Sequence, residues 1–399
     1  MVAQILTKKS RRFFSAHKDK EIRMITATYE ELFTFENIYK AHMRSRMCRR
    51  DKRPVVRFEM NMLSGLYDLY RRLNDGTFRF GKYCSFNVYE PKCREIQTLC
   101  YSDRIIQHVL CDNVLMPYFS NRVVIDNCVC QKGKGAHFAL SRFEKMIRKY
   151  VNQYGAEGYF FKCDILKYFA TIPHDRLKRA ICGQIGDPRI RTLVESVIDG
   201  YHTKPEYLAR YNVAPLGKDN RTERGIPIGN QTSQVFGMYY LDPVDRMIKE
   251  QYRVKVYSRY MDDFVLVHHD LEYLRSVRAA IYAKVEELGL ALNSKTQIFP
   301  MRNGVTYLGY RYRVLSDGKL LKTVKKQTKR RFRWRVRLLK KAYLDGLIDE
   351  DRVQRSRASI MGHLSHGKNR KFERELNHKF RFLEQEPTTP SPFSQTEEV

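Results

Sequence analysis

Two adjacent carboxylates interrupt a β-prone stretch, Tyr257-Ser258-Arg259-Tyr260-Met261-Asp262-Asp263-Phe264-Val265-Leu266-Val267. On a continuous strand neighbouring side chains point to opposite faces, so Asp262 and Asp263 serve one site only at a tight hairpin turn. A third acid, Asp164, closes the apolar run Tyr159-Phe160-Phe161-Lys162-Cys163, after which the pattern turns helical. Three acids on neighbouring strand ends predict a site for two Mg²⁺ ions. Such a pair of ions activates a 3′-hydroxyl, stabilises leaving pyrophosphate and clamps an in-line phosphoryl transfer, the chemistry of a polymerase. Taken alone, an Asp-Asp pair at a strand end is an ordinary solvated turn, so the surrounding sequence has to decide.

That chemistry needs further groups, and candidates stand in order along the chain. Phe169 follows Asp164 at the start of a helix, where an aromatic ring can press on a sugar C2′ and exclude a ribonucleotide; by itself it also reads as a core residue. Lys92 and Arg94, in the bend Glu90-Pro91-Lys92-Cys93-Arg94-Glu95, offer fixed cations for triphosphate oxygens, or are surface charges. The loop Gly225-Ile226-Pro227-Ile228-Gly229-Asn230-Gln231-Thr232-Ser233-Gln234 enters a helix. Its backbone at Gly229 lacks a Cβ and can approach a base pair, while Asn230 equally suits a helix cap. Lys295, in Leu292-Asn293-Ser294-Lys295-Thr296, can protonate departing pyrophosphate or stand as a surface lysine.

The elements that must position these groups follow from periodicity. Residues 26–74 carry helical spacing and predict two helices in an N-terminal bundle, ended by Asn74-Asp75-Gly76. Strands follow over 78–98, then a helix capped by Ser102-Asp103 that runs from Arg104 towards Met116 and stops at Pro117. Between the acids lie a helix after Pro173, a charged loop over 199–224 and a helix over about 230–249. The order strand, helix, helix, strand hairpin gives an α+β fold, an antiparallel sheet with helices on one face. Beyond Tyr307-Leu308-Gly309-Tyr310 the composition becomes strongly basic. Residues 325–341 include Lys-Arg-Arg-Phe-Arg-Trp-Arg-Val-Arg, a helix suited to a phosphate backbone through Arg331, Arg333, Arg335 and Arg337, with Phe332, Val336 and Leu339 facing inward.

Bulk properties agree. The 399 residues, 43 % of them hydrophobic, support two or three packed lobes, and 74 Lys plus Arg against 44 Asp plus Glu give a formal charge of +30. That excess implies a polyanionic partner, nucleic acid first. No apolar run approaches the roughly 18–20 residues of a membrane span. The nine cysteines lack a CxxC pair; Cys128-Val129-Cys130, alternating on a strand, cannot share one zinc, so reduced and mostly buried thiols are expected. Residues 1–20 form a basic leader without an apolar core, which indicates a cytoplasmic protein, with a mitochondrial presequence as the rival reading. The stretch 384–399, rich in Pro, Ser and Thr, reads as a disordered tail. His363 and His366 suggest a metal, but without further ligands they read as packing or phosphate contacts.

Taken together, Pro91-Lys92-Cys93-Arg94, Asp103-Arg104-Ile105-Ile106-Gln107-His108, Gln131-Lys132-Gly133-Lys134-Gly135-Ala136-His137, the three acids, Asn293 to Thr296 and Tyr307-Leu308-Gly309 form an ordered series. It resembles the reverse transcriptases of the bacterial, group II intron-like lineage over about residues 78–363. Ile228-Gly229-Asn230-Gln231-Thr232-Ser233-Gln234 is most similar to the form found in diversity-generating retroelements, where the relatives more often carry Gln before the Gly and Pro after the Ser. The resemblance implies a right-hand polymerase: an N-terminal helical extension (21–77), fingers (78–158), palm (159–317) and a basic helical thumb (318–383). It implies an RNA-directed DNA polymerase using dNTPs and two Mg²⁺ ions. Asp164, Asp262, Asp263 and the Ile165 carbonyl would hold the metals, Lys92 and Arg94 the triphosphate, and Phe169 the sugar. Ile228, Gly229 and Gln234 would lie against the nascent pair, and Leu308 and Gly309 at the primer end. The implied partners are a template RNA, its RNA/DNA duplex and a small basic accessory protein, in a bacterial or phage-encoded setting. The expected product is cDNA with errors at template adenines. A defence enzyme acting against phage shares the same core, and a catalytically silent RNA-binding protein would be expected to have lost a metal carboxylate.

Overall fold

A computed structural model describes residues 24–89, 93–214, 216 and 222–384. The basic leader, the bend at 90–92 with Lys92, and residues 385–399 of the expected tail lie outside the described residues. The chain divides into two units. One comprises the chain up to Tyr118 and Pro173–Phe236, the other Phe119–Ile172 and Gly237 onward.

In the first unit the N-terminal periodic stretch forms four helical pieces, not two: Tyr29–Leu32, Phe35–Ser45, Arg53–Glu59 and Met62–Asn74. Local caps divide it. Thr28 and Glu31 make a reciprocal capping box, and the Thr34 hydroxyl accepts from the Asn37 amide, so a new helix starts where a continuous one was expected. Ile38, Leu66, Leu69 and Leu73 are buried on the shared face. Strands β1 (Cys84–Val88) and β2 (Arg94–Thr98) pair antiparallel, from Cys84 opposite Thr98 to Val88 opposite Arg94.

The next helix corrects the sequence reading. It starts at Tyr101, so Ser102 and Asp103 lie in its first turn and are not its cap. The Asp103 carboxylate is buried and accepts the Gly81 amide at 2.7 Å, a tertiary partner that replaces the capping role. Pro117 does not end the helical path either. A π-turn over Cys111–Leu115 precedes it, and Pro117 falls in the first turn of Met116–Ser120, where a missing N–H is tolerated. The expected helix over 230–249 breaks in the same way into Gln231–Tyr240, Asp242–Arg246 with Pro243 in its first turn, and a π-turn over Met247–Gln251.

The second unit is built on an antiparallel sheet in the order β4-β5-β3-β6, with β3 (Tyr159–Asp164), β4 (Val256–Tyr260), β5 (Asp263–His268) and β6 (Gln297–Pro300). Phe160, Val256, Val265 and Val267 share one face and join a core with the helix Ala136–Tyr154 and a second sheet of β7 (Val305–Tyr307), β8 (Tyr310–Val314) and β9 (Leu320–Val324). The other face carries Tyr257 and Arg259, both bonded to Asp245 of the segment Asp242–Arg246. The α+β class is as expected; helices, however, cover both faces, because β3 and β5 are apolar on both sides. Helices Lys326–Leu344, Glu350–Ser365 and Arg370–Lys379 complete the unit, and Phe332 and Val336 are buried as expected. All nine cysteines are unbridged, four of them buried (Cys111, Cys128, Cys163, Cys182) and four exposed, so the thiols are less buried than expected.

Candidate active site

Strand pairing brings the acids together. Asp164, the last residue of β3, lies directly opposite Asp263, the first residue of β5, and Tyr260 faces Asp263 from β4. Directly opposed residues stand about 4.5–5.5 Å apart at Cβ. The β4–β5 connection is therefore a two-residue turn of Met261 and Asp262. Met261 has φ +61°, a conformation that costs an L-residue roughly 1–2 kcal/mol. Asp262 thus sits in the turn, as read from sequence, and Asp263 just inside the strand.

Lys162, two residues before Asp164 and on the same face, places its ammonium 3.2 Å from Asp263 Oδ1 and donates to the Thr306 carbonyl. Burial pushes the Asp263 carboxyl up to about 6. Lys162 works against that shift, and the neighbouring charges of Asp262 and Asp164 add to it. The Lys162 ammonium donates to Asp263 Oδ2 at 3.4 Å, and Oδ1 is buried beside the same ammonium. Among the described residues no three His, Cys, Asp or Glu side chains surround a common point. Hard oxygen donors and an excess of carboxylates over the Lys162 ammonium fit a divalent cation.

The backbone around Asp164 is fixed by the segment that carries Lys295. Asn293 N donates to Asp164 O at 2.8 Å and Leu166 N to Ala291 O at 2.8 Å. These two bonds flank the Ile165–Leu292 bridge and direct the amide and carbonyl of Ile165 to the opposite edge of β3, where β5 lies. Thr296 adds a contact to Asp164, while Lys295 is exposed in the intervening turn. Phe169 is half-buried. A Cβ built on Gly237 would stand 3.4 Å from the Phe169 ring and 3.0 Å from the Met261 sulfur, so the ring and the turn share one small neighbour.

The nucleotide-side candidates belong to the first unit. Arg94 opens β2 and is exposed. Gly229 has φ +137°, and an added Cβ would meet the Gln97 carbonyl at 2.6 Å. The missing Cβ thus serves a close approach to β2, a contact distinct from the base-pair approach expected from the sequence. Next to it Gln97 N donates to Ile228 O at 2.9 Å, and Asn230 Nδ2 donates to Tyr83 Oη at 2.8 Å. The side chains of Ile228 and Gln234 are exposed.

Leu308 and Gly309 form a two-residue turn between β7 and β8, both with positive φ (+45° and +86°). Arg331, Arg335 and Arg337 are exposed, but Arg333 makes a bidentate pair with Glu375 at 2.6 and 2.7 Å, which occupies its fork. Trp334 is 47 % exposed beside them. Sequence reading passed over a groove of about 510 Å³ lined by Arg311, Arg313, Lys325, Lys326 and Lys329, with no acid in its lining. It also includes Thr306, the residue bonded to Lys162. The signal was present: Arg311 and Arg313 alternate with Tyr310, Tyr312 and Val314, the period of a strand with one basic face. His363 stacks on Tyr310 at 5.1 Å and His366 lies against His137 at 4.1 Å, packing contacts as the sequence suggested.

The second unit thus carries an antiparallel palm-like sheet with three acids at adjoining strand ends. The chain belongs to the reverse transcriptase (RNA-dependent DNA polymerase) family, whose sequence model matches residues 89–312, more than half of its length. No curated protein matches the sequence. Among solved structures it is similar to an apo telomerase from Candida tropicalis truncated from the C-terminal domain, with 14 % identity and a TM-score of 0.40. The likeness covers 60 % of this chain and 54 % of that one, so the chain spans about half of the telomerase chain it matches. No helix among the described residues is long and apolar enough to cross a membrane.

Proposed function

We propose that this protein is an RNA-directed DNA polymerase that extends a primer on an RNA template. The observation that carries the proposal is Asp164 facing Asp263 across β3 and β5 with Asp262 in the adjoining turn. In the reaction the primer 3′-oxygen forms a bond to the α-phosphorus of a dNTP, the bond to the bridging oxygen breaks, and pyrophosphate leaves. Asp164, Asp262, Asp263 and the Ile165 carbonyl would hold two Mg²⁺ ions, which supply Lewis-acid charge at both oxygens when bound. Lys92 and Arg94 bind the triphosphate, Phe169 excludes a 2′-hydroxyl, and Lys295 gives a proton to pyrophosphate. Leu308 and Gly309 support the primer end, and the exposed cations at 331, 335 and 337 follow the duplex backbone.

The substrate is retroelement RNA copied with errors at adenines, and a small basic accessory protein assists. Ile228 supports this: its aliphatic side chain is exposed, and if it lies against the nascent pair it offers no hydrogen bond where an amide would, so base geometry is checked less stringently. Deep sequencing of cDNA made from a defined primed RNA tests it. Errors concentrated at template adenines, reduced in Ile228→Gln, are expected. Accurate cDNA, or DNA unrelated to the template, would overturn the mutagenic reading in favour of an antiphage role.

A further inference from the structure

Arg259 is fully buried, and its side chain leaves β4 on the face opposite Ser258 and Tyr260, away from the acids. A buried guanidinium persists only when its donors are satisfied. Nε and Nη2 donate to the two carboxylate oxygens of Asp245 at 2.7 and 2.5 Å. Nη2 also donates to the Met238 carbonyl and Nη1 to the Met261 carbonyl, both at 2.9 Å. Asp245, itself buried, receives the Tyr257 hydroxyl as well. One planar group therefore ties the segment Asp242–Arg246, the helix Gln231–Tyr240 and the turn residue that precedes Asp262. The ion pair alone would satisfy charge. The donor on Met261 goes further, because it holds a residue at φ +61° whose next peptide carries the first acid of the pair.

We propose that Arg259 is a positioning residue. Anchored on Asp245, it fixes the Met261 carbonyl and thereby sets where the Asp262 and Asp263 carboxylates stand relative to Asp164. The role rests on the polymerase reading of the three acids. Lysine at 259 keeps the charge beside Asp245 but, as a single point donor, cannot span Asp245, Met238 and Met261 together.

The test is Mn²⁺ binding to the full-length protein, followed by electron paramagnetic resonance, beside primer extension and duplex binding. In Arg259→Lys, Mn²⁺ affinity is expected to fall about tenfold. The Mg²⁺ concentration for half-maximal extension should rise in parallel, with duplex affinity unchanged. Should Arg259→Lys fail to fold, Tyr257→Phe keeps the ion pair and removes one bond to Asp245; a shift of about threefold in the same direction is expected. A folded variant with wild-type Mn²⁺ affinity and Mg²⁺ dependence overturns the proposal. If wild-type protein makes no cDNA, the polymerase reading fails, while the Mn²⁺ comparison still decides whether Arg259 positions the acids.

Discussion

Asp262 and Asp263 differ in setting although they are neighbours: one lies in a turn, the other is half-enclosed on β5 beside Lys162. Replacing either by Asn removes charge with little change in volume. Extension in Asp262→Asn or Asp263→Asn should fall by at least about 10²–10³-fold, the scale of losing one preorganised electrostatic partner. Primed RNA should bind within about twofold of wild type if, as proposed, its affinity comes from cations elsewhere. Single-turnover extension and a binding titration measure the two effects separately. The three acids were legible because their residue type and their place at strand ends are local facts. Arg259 was not, since an arginine on an alternating strand reads as surface and its partner Asp245 is set by packing. The contact of Gly229 with the Gln97 carbonyl was not legible either, because the strand it meets is brought there by the fold.

At the scale of elements, that glycine joins the loop at 225–230 to the β1–β2 hairpin. Gly229→Ala combines a positive φ with a clash against backbone and should destabilise the protein by about 1–3 kcal/mol, read as a lower urea midpoint. A wild-type midpoint would show that loop and strand can separate at no cost. The N-terminal helices carry a pH dependence of their own. Burial holds the His42 imidazole below its ordinary value, with Glu59 opposing and Arg46 reinforcing the shift. The neutral ring is thus the native form: its contribution is complete above about pH 6.5 and is lost as pH falls through the lower folded value. Stability of the wild type should decline across that window, and His42→Gln should show a flatter profile. The helices themselves were legible from apolar spacing. The break at Thr34, and those elsewhere at Cys111–Leu115 and Pro243, were not, because caps and π-turns depend on which backbone groups find partners.

For the whole molecule, the charge of +30 favours a polyanionic partner, and on the proposed function its distribution decides which cations matter. Each phosphate contact contributes about 0.7–0.9 to the slope of log affinity against log salt. Arg311→Gln together with Arg313→Gln should lower that slope for a primed RNA by about 1.4–1.8 if both side chains in the groove touch phosphate. Arg333→Gln should leave the slope unchanged, because Glu375 already occupies its guanidinium. An equal loss in both would contradict the distinction between a cation paired with a carboxylate and cations lining a groove without an acid. Net charge was legible from composition; the groove needed β8 and the start of the helix Lys326–Leu344 to be placed side by side.

The most direct measurement is extension of a labelled DNA primer on a defined RNA with Mg²⁺ and all four dNTPs, by wild-type protein and by the double variant Asp262→Asn, Asp263→Asn. Template-length cDNA from the wild type and none from the double variant, with equal binding of the primed RNA, is the expected result. Product that persists in the double variant, or its absence from wild-type protein that binds the primed RNA, would contradict a polymerase built on these three acids.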